Sequence, residues 1–337
     1  MPTPPMRPAQ LTALIRDCLA AGGFTPSNAD IVARHLVDAE MKGVSSHGLN
    51  RLGLYLNQVS RDVIDPQAEP VVKTLRDGLL RVDGARGIGI VAMVRATEAL
   101  IAAAGKRGLA AAGIVNCGHS GRMGAYAELA AAAGFLAIGL GGGGRRLWGN
   151  VVPFGGVEPV MSTNPYTLGL PGLPDDPVIC DFAISTVATG KVAVARANGE
   201  SLPPDAAIDR HGKPTRDPEA YYDGGALLAA AGAKGSGLGV IAELVGDAML
   251  GDPVEYNWLM ILLRADAFQP MTEYEKRTKA FIDEVRGSKP AAGFDQVMLP
   301  GERETTLARH ASDAGIRISD GVWAGIVEAA RSVGVKA

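Results

Sequence analysis

The chain has 337 residues, enough for about two domains at roughly 150 residues each. It carries 33 basic and 36 acidic residues, for a net charge of −3, so there is no basic excess to neutralise nucleic-acid phosphates. Aromatics, at 5%, are too scarce for a single-strand stacking platform. Glycine is the outlier, 44 of 337 against a usual share of ~7%, which implies many tight turns and close backbone approaches.

The first stretch reads as helical. Leu11, Leu14, Ile15, Cys18 and Leu19 fall at helical spacing before Gly22-Gly23. Thr25-Pro26 is a cap followed by proline at the first helical position, and Ile31, Val32, His35, Leu36 and Ala39 share one face of the helix it opens. Ser45-Ser46-His47-Gly48 interrupts, and Asn50 to Val59 resumes a helix bearing Arg51 and Tyr55. The pattern changes near Val71. Strands are predicted at Leu79–Val82, Ala110–Val115, Phe135–Leu140, Tyr166–Leu170, Pro177–Phe182 and Lys191–Ala197, with helices at Ile90–Gly105 and Met123–Ala133. An apolar helix, Val240–Leu250, follows Gly237, then a strand at Trp258–Arg264 and a charged helix at Glu273–Arg286. A last helix pair follows Gly301-Glu302-Arg303. The alternation from 72 to 237 lacks the strict βαβ rhythm of a doubly wound sheet.

No apolar run reaches the ~18 residues of a membrane span, and the N-terminal Met1-Pro-Thr-Pro-Pro-Met-Arg has no apolar leader segment. Cys18, Cys117 and Cys180 are scattered and odd in number, as expected of a reducing cytoplasm. No H-x-x-x-H, H-E-x-x-H or C-x-x-C pair supports a metal, and no G-x-S-x-G elbow supports a serine nucleophile. Gly190-Lys191 and Lys234-Gly235 lack the Ser or Thr of a P-loop.

Gly139-Leu-Gly-Gly-Gly-Gly144 satisfies G-x-G-x-x-G, yet Arg145-Arg146-Leu-Trp-Gly-Asn does not read as the helix start a Rossmann loop requires. It is either a backbone cradle for a phosphate with Arg145 and Arg146 as counter-charges, or a turn with solvated arginines. Arg145 and Arg146 also suit a 2′-phosphate, which would favour NADP. His47 pairs a proton-transfer group with Arg51 four residues on, a cation suited to a carboxylate. His119, glycine-flanked and leaving a buried strand, is the second candidate; His35 reads as core, and His211 and His310 as surface.

Taken together these residues resemble the malate/L-lactate dehydrogenase family of the non-Rossmann type, which includes ureidoglycolate and sulfolactate dehydrogenases, diketogulonate reductase and piperideine-2-carboxylate reductase. The resemblance spans nearly the whole chain. It rests on Ser46-His47-Gly48 with Arg51 and Tyr55, Asn116 with His119, Gly121, Gly124 and Tyr126, Pro153-Phe-Gly-Gly156, and Ser162-Thr-Asn-Pro165. It continues through Asp181-Phe-Ala-Ile-Ser185 with Gly190-Lys191, Ile208-Asp209 to Asp217-Pro218, Lys234-Gly235 with Leu238, and Pro300-Gly301-Glu302.

The resemblance implies an α/β fold with a mixed-sheet, sulfolactate dehydrogenase-like cofactor domain at 72–237 and a mainly helical domain from 1–71 plus 238–337. It implies hydride transfer between NAD or NADP and a small 2-oxo/2-hydroxy acid or cyclic imino acid, in a homodimer with its site near the subunit interface. His47 or His119 would be the acid/base, Arg51 the carboxylate anchor and Ser46 an orienting group. Ser162, Thr163, Asn164, Asp181, Phe182, Ala183, Lys234, Gly301 and Glu302 would be the cofactor contacts. Three departures stand out: Gly141-Gly142-Gly143 where the family often has Thr-Asn-Ser, Ala233 where it has a histidine, and Ser120 where it has an aromatic. The first two leave a second reading, a catalytically silent dinucleotide- or ligand-binding member of the scaffold.

Overall fold

A computed structural model describes residues 5–337. Residues 1–4, part of the stretch read as lacking a leader segment, lie outside the described residues. The chain opens with α1 (Pro8–Ala21) and α2 (Pro26–Met41), and the Thr25 side chain accepts from Asn28 N at 3.2 Å as the cap-proline pair predicts. Two 3₁₀ turns, Ser45–His47 and Leu49–Arg51, lead into α3 (Leu52–Ser60). Then come β1 (Val71–Arg76), β2 (Leu79–Asp83), α4 (Gly89–Arg107), β3 (Leu109–Val115), α5 (Gly124–Ala132) and β4 (Phe135–Gly142). A single turn, α6 (Arg145–Trp148), precedes the hairpin β5 (Pro165–Leu173) and β6 (Asp176–Ala183). The helix α7 (Thr189–Asn198) is followed by β7 (Ala207–Ile208), β8 (Pro214–Thr215), α8 (Pro218–Tyr222) and β9 (Ala226–Leu227). Last come α9 (Ala233–Glu243) running into a π turn at Leu244–Met249, β10 (Asn257–Arg264), α10 (Met271–Arg286), α11 (Glu302–Ala314) and α12 (Asp320–Ser332).

The main sheet has seven strands in the order β1-β2-β3-β10-β4-β5-β6. Only β2 and β3 pair in parallel; β10 runs antiparallel to both β3 and β4, with Ile261 opposite Ala111 and Ile138. A sheet with an antiparallel strand at its centre is not a doubly wound nucleotide fold. α4 and α5 cover one face. Ile90, Met93, Ala96 and Leu100 lie at i, i+3, i+6 and i+10 on the buried side of α4, and each large side chain contributes about 1.5–3 kcal/mol of burial. A separate core joins both chain ends, with Leu11, Ile15, Leu36, Leu52 and Tyr55 against Ile316, Ile326 and Ala330. A third packs Leu140, Val151, Tyr166, Val192 and Ala242 beneath the small β8-β7-β9 sheet.

Several expectations change. Residues 191–197, predicted as a strand, form α7: Val192 and Ala195 are buried one turn apart while Val194 is exposed, so the two valines only imitate a period of two. The edge strand β1 escapes prediction because every one of its residues is exposed and no alternation shows. Gly139–Gly142 are the end of β4 rather than a loop, and the residues after them do make one helical turn. α9 begins at Ala233, earlier than the apolar pattern suggests. β10 lies in the centre of the sheet, although residues 238–337 read as part of a helical domain. Its Trp258, Met260 and Leu262 are buried beside Ala112, Ile114 and Ala137.

Candidate active site

The turn bearing His47 is pinned by a residue on α2. The Glu40 carboxylate accepts from Ser45 Oγ at 2.8 Å and from Leu49 N at 3.1 Å, fixing both sides of Gly48. On that turn Ser46 Oγ lies 2.9 Å from His47 Nδ1, and Arg51 Nε donates to the Ser46 carbonyl at 2.6 Å. This bond folds the Arg51 chain back and leaves its two terminal nitrogens without a partner among the described residues.

His119 follows β3 on a loop that only glycine can close. At Gly121 φ is +69°, and a Cβ there would stand 2.1 Å from His35 Nε2. That same His35 nitrogen accepts from Arg122 N at 2.8 Å, so its ring carries its proton on Nδ1. Its role is to seat the loop. The Arg122 guanidinium is buried and bonds Asp38 at 3.0 Å and Glu128 at 2.7 Å, tying the loop to α2 and α5.

His119 Nδ1 receives Gly121 N–H at 3.3 Å and lies 2.7 Å from Tyr55 Oη. A backbone N–H can only donate, so Nδ1 accepts, the Tyr55 hydroxyl donates to it, and the neutral ring holds its proton on Nε2. Nε2 has no partner among the described residues. The His47 and His119 rings stack with centroids 5.4 Å apart and planes 21° from parallel.

Both imidazoles are held neutral. Burial pushes His119 well below 6.5, reinforced by His47, Arg51 and His35, and burial with Arg51 pushes His47 down to about 4. A carboxylate bound to Arg51 offsets that positive charge in His119's surroundings, which favours protonating the ring. Tyr55, fully buried, is pushed well up, so its hydroxyl stays protonated and remains a donor. The structure therefore brings His47, His119, Arg51 and Ser46 together.

The predicted cofactor residues fall into three groups. Ser162 and Asn164 are fully buried and converge on Glu243 near the end of α9: Ser162 Oγ at 2.5 Å, Ser162 N at 2.9 Å and Asn164 Nδ2 at 3.0 Å share one oxygen. The other oxygen accepts Gly143 N at 2.8 Å, so one carboxylate joins the β4 end to the Ser162–Asn164 turn. The Asn164 Oδ1 atom is buried without a partner, and Thr163, half-buried, lies 3.5 Å from the Tyr256 hydroxyl. In the second group Asp181 Oδ2 accepts Gly124 N at 2.6 Å at the start of α5, Ala183 pairs with Pro165, and Phe182 stacks on Tyr166 with one side exposed. In the third, Gly301 precedes α11 and the Glu302 carboxylate bonds Leu299 N at 2.8 Å and Arg286 at 3.1 Å, so it is spent within the chain.

Lys234 is exposed in the first turn of α9, whose start at Gly232 has no side-chain cap. Uncapped N–H groups, an ammonium and the exposed Phe182 ring suit a dinucleotide with its diphosphate. Among the described residues no group of three His, Cys, Asp or Glu is arranged to hold a metal, and no helix is long and apolar enough to cross a membrane.

The glycines at the β4 end are filled by protein. A Cβ at Gly141 would meet the Trp258 ring at 2.6 Å, one at Gly142 the Ala242 carbonyl at 1.8 Å, and one at Gly143 the Gly246 backbone at 2.9 Å. Arg145 pairs with Asp247 and stands 3.9 Å from Glu243, so it is not a free counter-charge. Sequence reading missed Glu40 and Glu243. For Glu243 a signal existed: one of only two carboxylates, with Asp247, in the apolar stretch Val240–Leu250.

The profile of malate/L-lactate dehydrogenases matches residues 6–327. An Escherichia coli K12 relative named ureidoglycolate dehydrogenase (NAD(+)) is 32% identical over 93% of this chain and 92% of its own. A Pseudomonas syringae pv. tomato relative named Δ1-pyrroline-2-carboxylate/Δ1-piperideine-2-carboxylate reductase is 33% identical over 90% of this chain and 89% of its own. The solved structure of sulfolactate dehydrogenase from Methanocaldococcus jannaschii superposes with a TM-score of 0.89 at 27% identity, covering 98% of both chains. With its mixed sheet, its histidine pair and these matches along nearly its whole length, the chain belongs to the malate/L-lactate dehydrogenase family of nicotinamide-dependent oxidoreductases.

Proposed function

We propose that this chain exchanges a hydride between NAD(P)H and the carbon beside the carboxylate of a small 2-oxo/2-hydroxy acid or cyclic imino acid, with His119 as the proton-transfer group. The observation that carries the reading is the His119 ring, protonated on Nε2, with Arg51 near enough to act on it and both Arg51 terminal nitrogens lacking a partner among the described residues.

The guanidinium grips the substrate carboxylate in a fixed fork, which places the reacting carbon; misplacement by 1 Å can cost on the order of 100-fold in rate. His119 Nε2–H donates to the oxygen on which negative charge develops. The substrate carboxylate on Arg51 raises the proton affinity of the ring at that moment. Tyr55 and Gly121 hold the ring in one orientation throughout, and Ser46 orients His47 beside it. Bound reduced nicotinamide supplies the hydride. Lys234 with the α9 N-terminus would hold its diphosphate, Phe182 and Thr163 would border it, and Ser162, Asn164, Asp181, Ala183, Gly301 and Glu302 would shape the walls from behind.

With Arg145 paired to Asp247, the case for a 2′-phosphate falls to Arg146, which shares a cavity with Asp247, Asp252 and Glu255. Dissociation constants of NADH and NADPH measured as salt rises separate the two nucleotides, since a phosphate ion pair weakens with salt only for NADPH. We read the chain as a cytoplasmic homodimer. Cys18 and Cys117 are free buried thiols, and Leu238 and Ile241 of α9 with Leu244 of the π turn leave an apolar row exposed. The silent-scaffold reading loses its glycine argument, because packing explains those glycines. Stopped-flow oxidation of NADH and NADPH against a panel of 2-oxo acids and cyclic imines tests the proposal. Turnover with one class is expected, and no oxidation of either nucleotide by any acceptor overturns it.

A further inference from the structure

Gly48 stands in the middle of the turn that carries Ser46, His47 and Arg51, and its φ of −96° does not call for glycine. Space does. A Cβ at Gly48 would run into Glu40 Oε2 and stand 3.3 Å from the Glu40 backbone nitrogen. The missing side chain therefore admits the Glu40 carboxylate into the turn. There it accepts from Ser45 Oγ on one side and from Leu49 N on the other. The segment between them, Ser46-His47-Gly48, is thus held at both ends by one side chain.

Arg51 hangs from that segment at two points. Its backbone N–H donates to the Gly48 carbonyl at 3.0 Å, and its Nε donates to the Ser46 carbonyl at 2.6 Å. Together they fix where the side chain leaves the backbone and which way its terminal nitrogens face. His119 has separate supports. Its loop is seated by His35, whose Nε2 accepts Arg122 N, and by Asp38, which bonds the Arg122 guanidinium. Among the described residues the Glu40 carboxylate makes no hydrogen bond to that loop. One helix, α2, therefore carries both mounts: His35 and Asp38 for the proton donor, and Glu40 for the cation.

We propose that Glu40 is the positioning residue for the carboxylate anchor: by clamping Ser46-His47-Gly48 from α2 it sets the reach of Arg51 toward the acid group of the substrate, which it does not itself touch. The proposal rests on the reading of Arg51 given above. A guanidinium already aimed in the free protein binds a carboxylate without first being ordered; released from its clamp, it must be ordered each time the acid binds, and affinity falls. The clamp consists of two hydrogen-bonding positions at fixed points, so shape rather than charge carries it.

The test pairs Glu40→Ala with Glu40→Gln. The first loses both bonds. In the second the amide oxygen still accepts from Leu49 N, and the amide NH₂ donates to Ser45 Oγ, a hydroxyl that accepts as readily as it donates. kcat and KM are measured with pyruvate and with Δ1-piperideine-2-carboxylate, and the dissociation constant of the reduced nucleotide by fluorescence. Glu40→Ala is expected to raise the acceptor KM at least about 10-fold, while kcat falls less than about 3-fold and nucleotide affinity is unchanged. Glu40→Gln is expected to stay within about 2-fold of wild type in all three constants. In an Arg51→Ala background, Glu40→Ala should raise the acceptor KM by less than about 2-fold more, because a clamp that acts through Arg51 has nothing left to aim. Should Glu40→Ala fail to fold, Ser45→Ala removes one of the two bonds and is expected to shift the same constant by about 3-fold. Three results would each overturn the Glu40 assignment and leave the reductase reading intact: loss of kcat or nucleotide affinity with the acceptor KM unchanged, Glu40→Gln as impaired as Glu40→Ala, or effects at Glu40 and Arg51 that multiply. Wild type that oxidises neither NADH nor NADPH with either acceptor overturns both.

Discussion

Two glycine-rich segments flank β10, one at the end of β3 and the other at the end of β4. Both follow buried strands and both contain backbone that other groups approach closely. At Gly118–Gly124 the approaching group is an imidazole: His35 fills the space beside Gly121 and seats the loop that presents His119. At Gly139–Gly144 the approaching groups are the Trp258 ring and the backbone of α9 and its π turn, so the segment is packed rather than open. Glycine richness marks that something comes near; only the neighbour decides whether the result is a site or a seam.

The largest effect expected from that contrast is at His119. With a 2-oxo acid as acceptor, His119→Asn should lower single-turnover hydride transfer by about 10²–10⁴-fold with nucleotide affinity intact, because only the proton donor to the carbonyl oxygen is lost. A variant with the wild-type rate would move the chemistry away from the β3 loop. Arg51→Ala should raise KM for acid substrates by about 100-fold and lower kcat less, as steady-state kinetics on any turned-over substrate will show. A kcat-only defect would mean that Arg51 does not hold the carboxylate.

On the other side of β10, Gly142→Ala should destabilise the fold by about 1–3 kcal/mol in urea unfolding, since its methyl would meet the Ala242 carbonyl and the Glu243 backbone nitrogen, which cannot swing aside as a side chain can. The folded fraction should bind nucleotide normally. Full stability with lost nucleotide binding would make the β4 end a ligand edge after all.

The smallest effect is on pH dependence. His35 is held neutral down to about 3 by burial, with Arg122 adding to the shift, while the unfolded chain takes up the proton near 6.5. Below 6.5 the unfolded state therefore binds more protons. Stability should be present above 6.5 and be lost toward 3, with a slope of up to about 1.4 kcal/mol per pH unit from this ring. His35→Gln, compared with wild type by urea unfolding at pH 7 and pH 5, should show the shallower loss; identical slopes would refute the assignment.

The histidine half of the site was legible because its residues are local. Ser46, His47 and Arg51 lie within six positions, and His119 stands among glycines after an apolar run, so short-range chemistry announces them. The supports were not legible. Glu40 acts across a helix end, and Glu243 gathers Gly143, Ser162 and Asn164 from some 80 to 100 residues away. Periodicity misled at 191–197, where two valines two apart imitate a strand although burial follows the helical turn.

The sequence by itself determined the helical ends, most strands, the rejection of a Rossmann loop and His47, His119 and Arg51 as candidates, because these depend on neighbours along the chain. The tertiary structure decided that β10 joins β3 to β4, that His119 keeps its proton on Nε2, and that the β4 glycines are packed shut. Each of these depends on which atoms meet across the fold: a hydrogen bond's direction or a Cβ's room is set by a partner far away in sequence, and no local pattern encodes it.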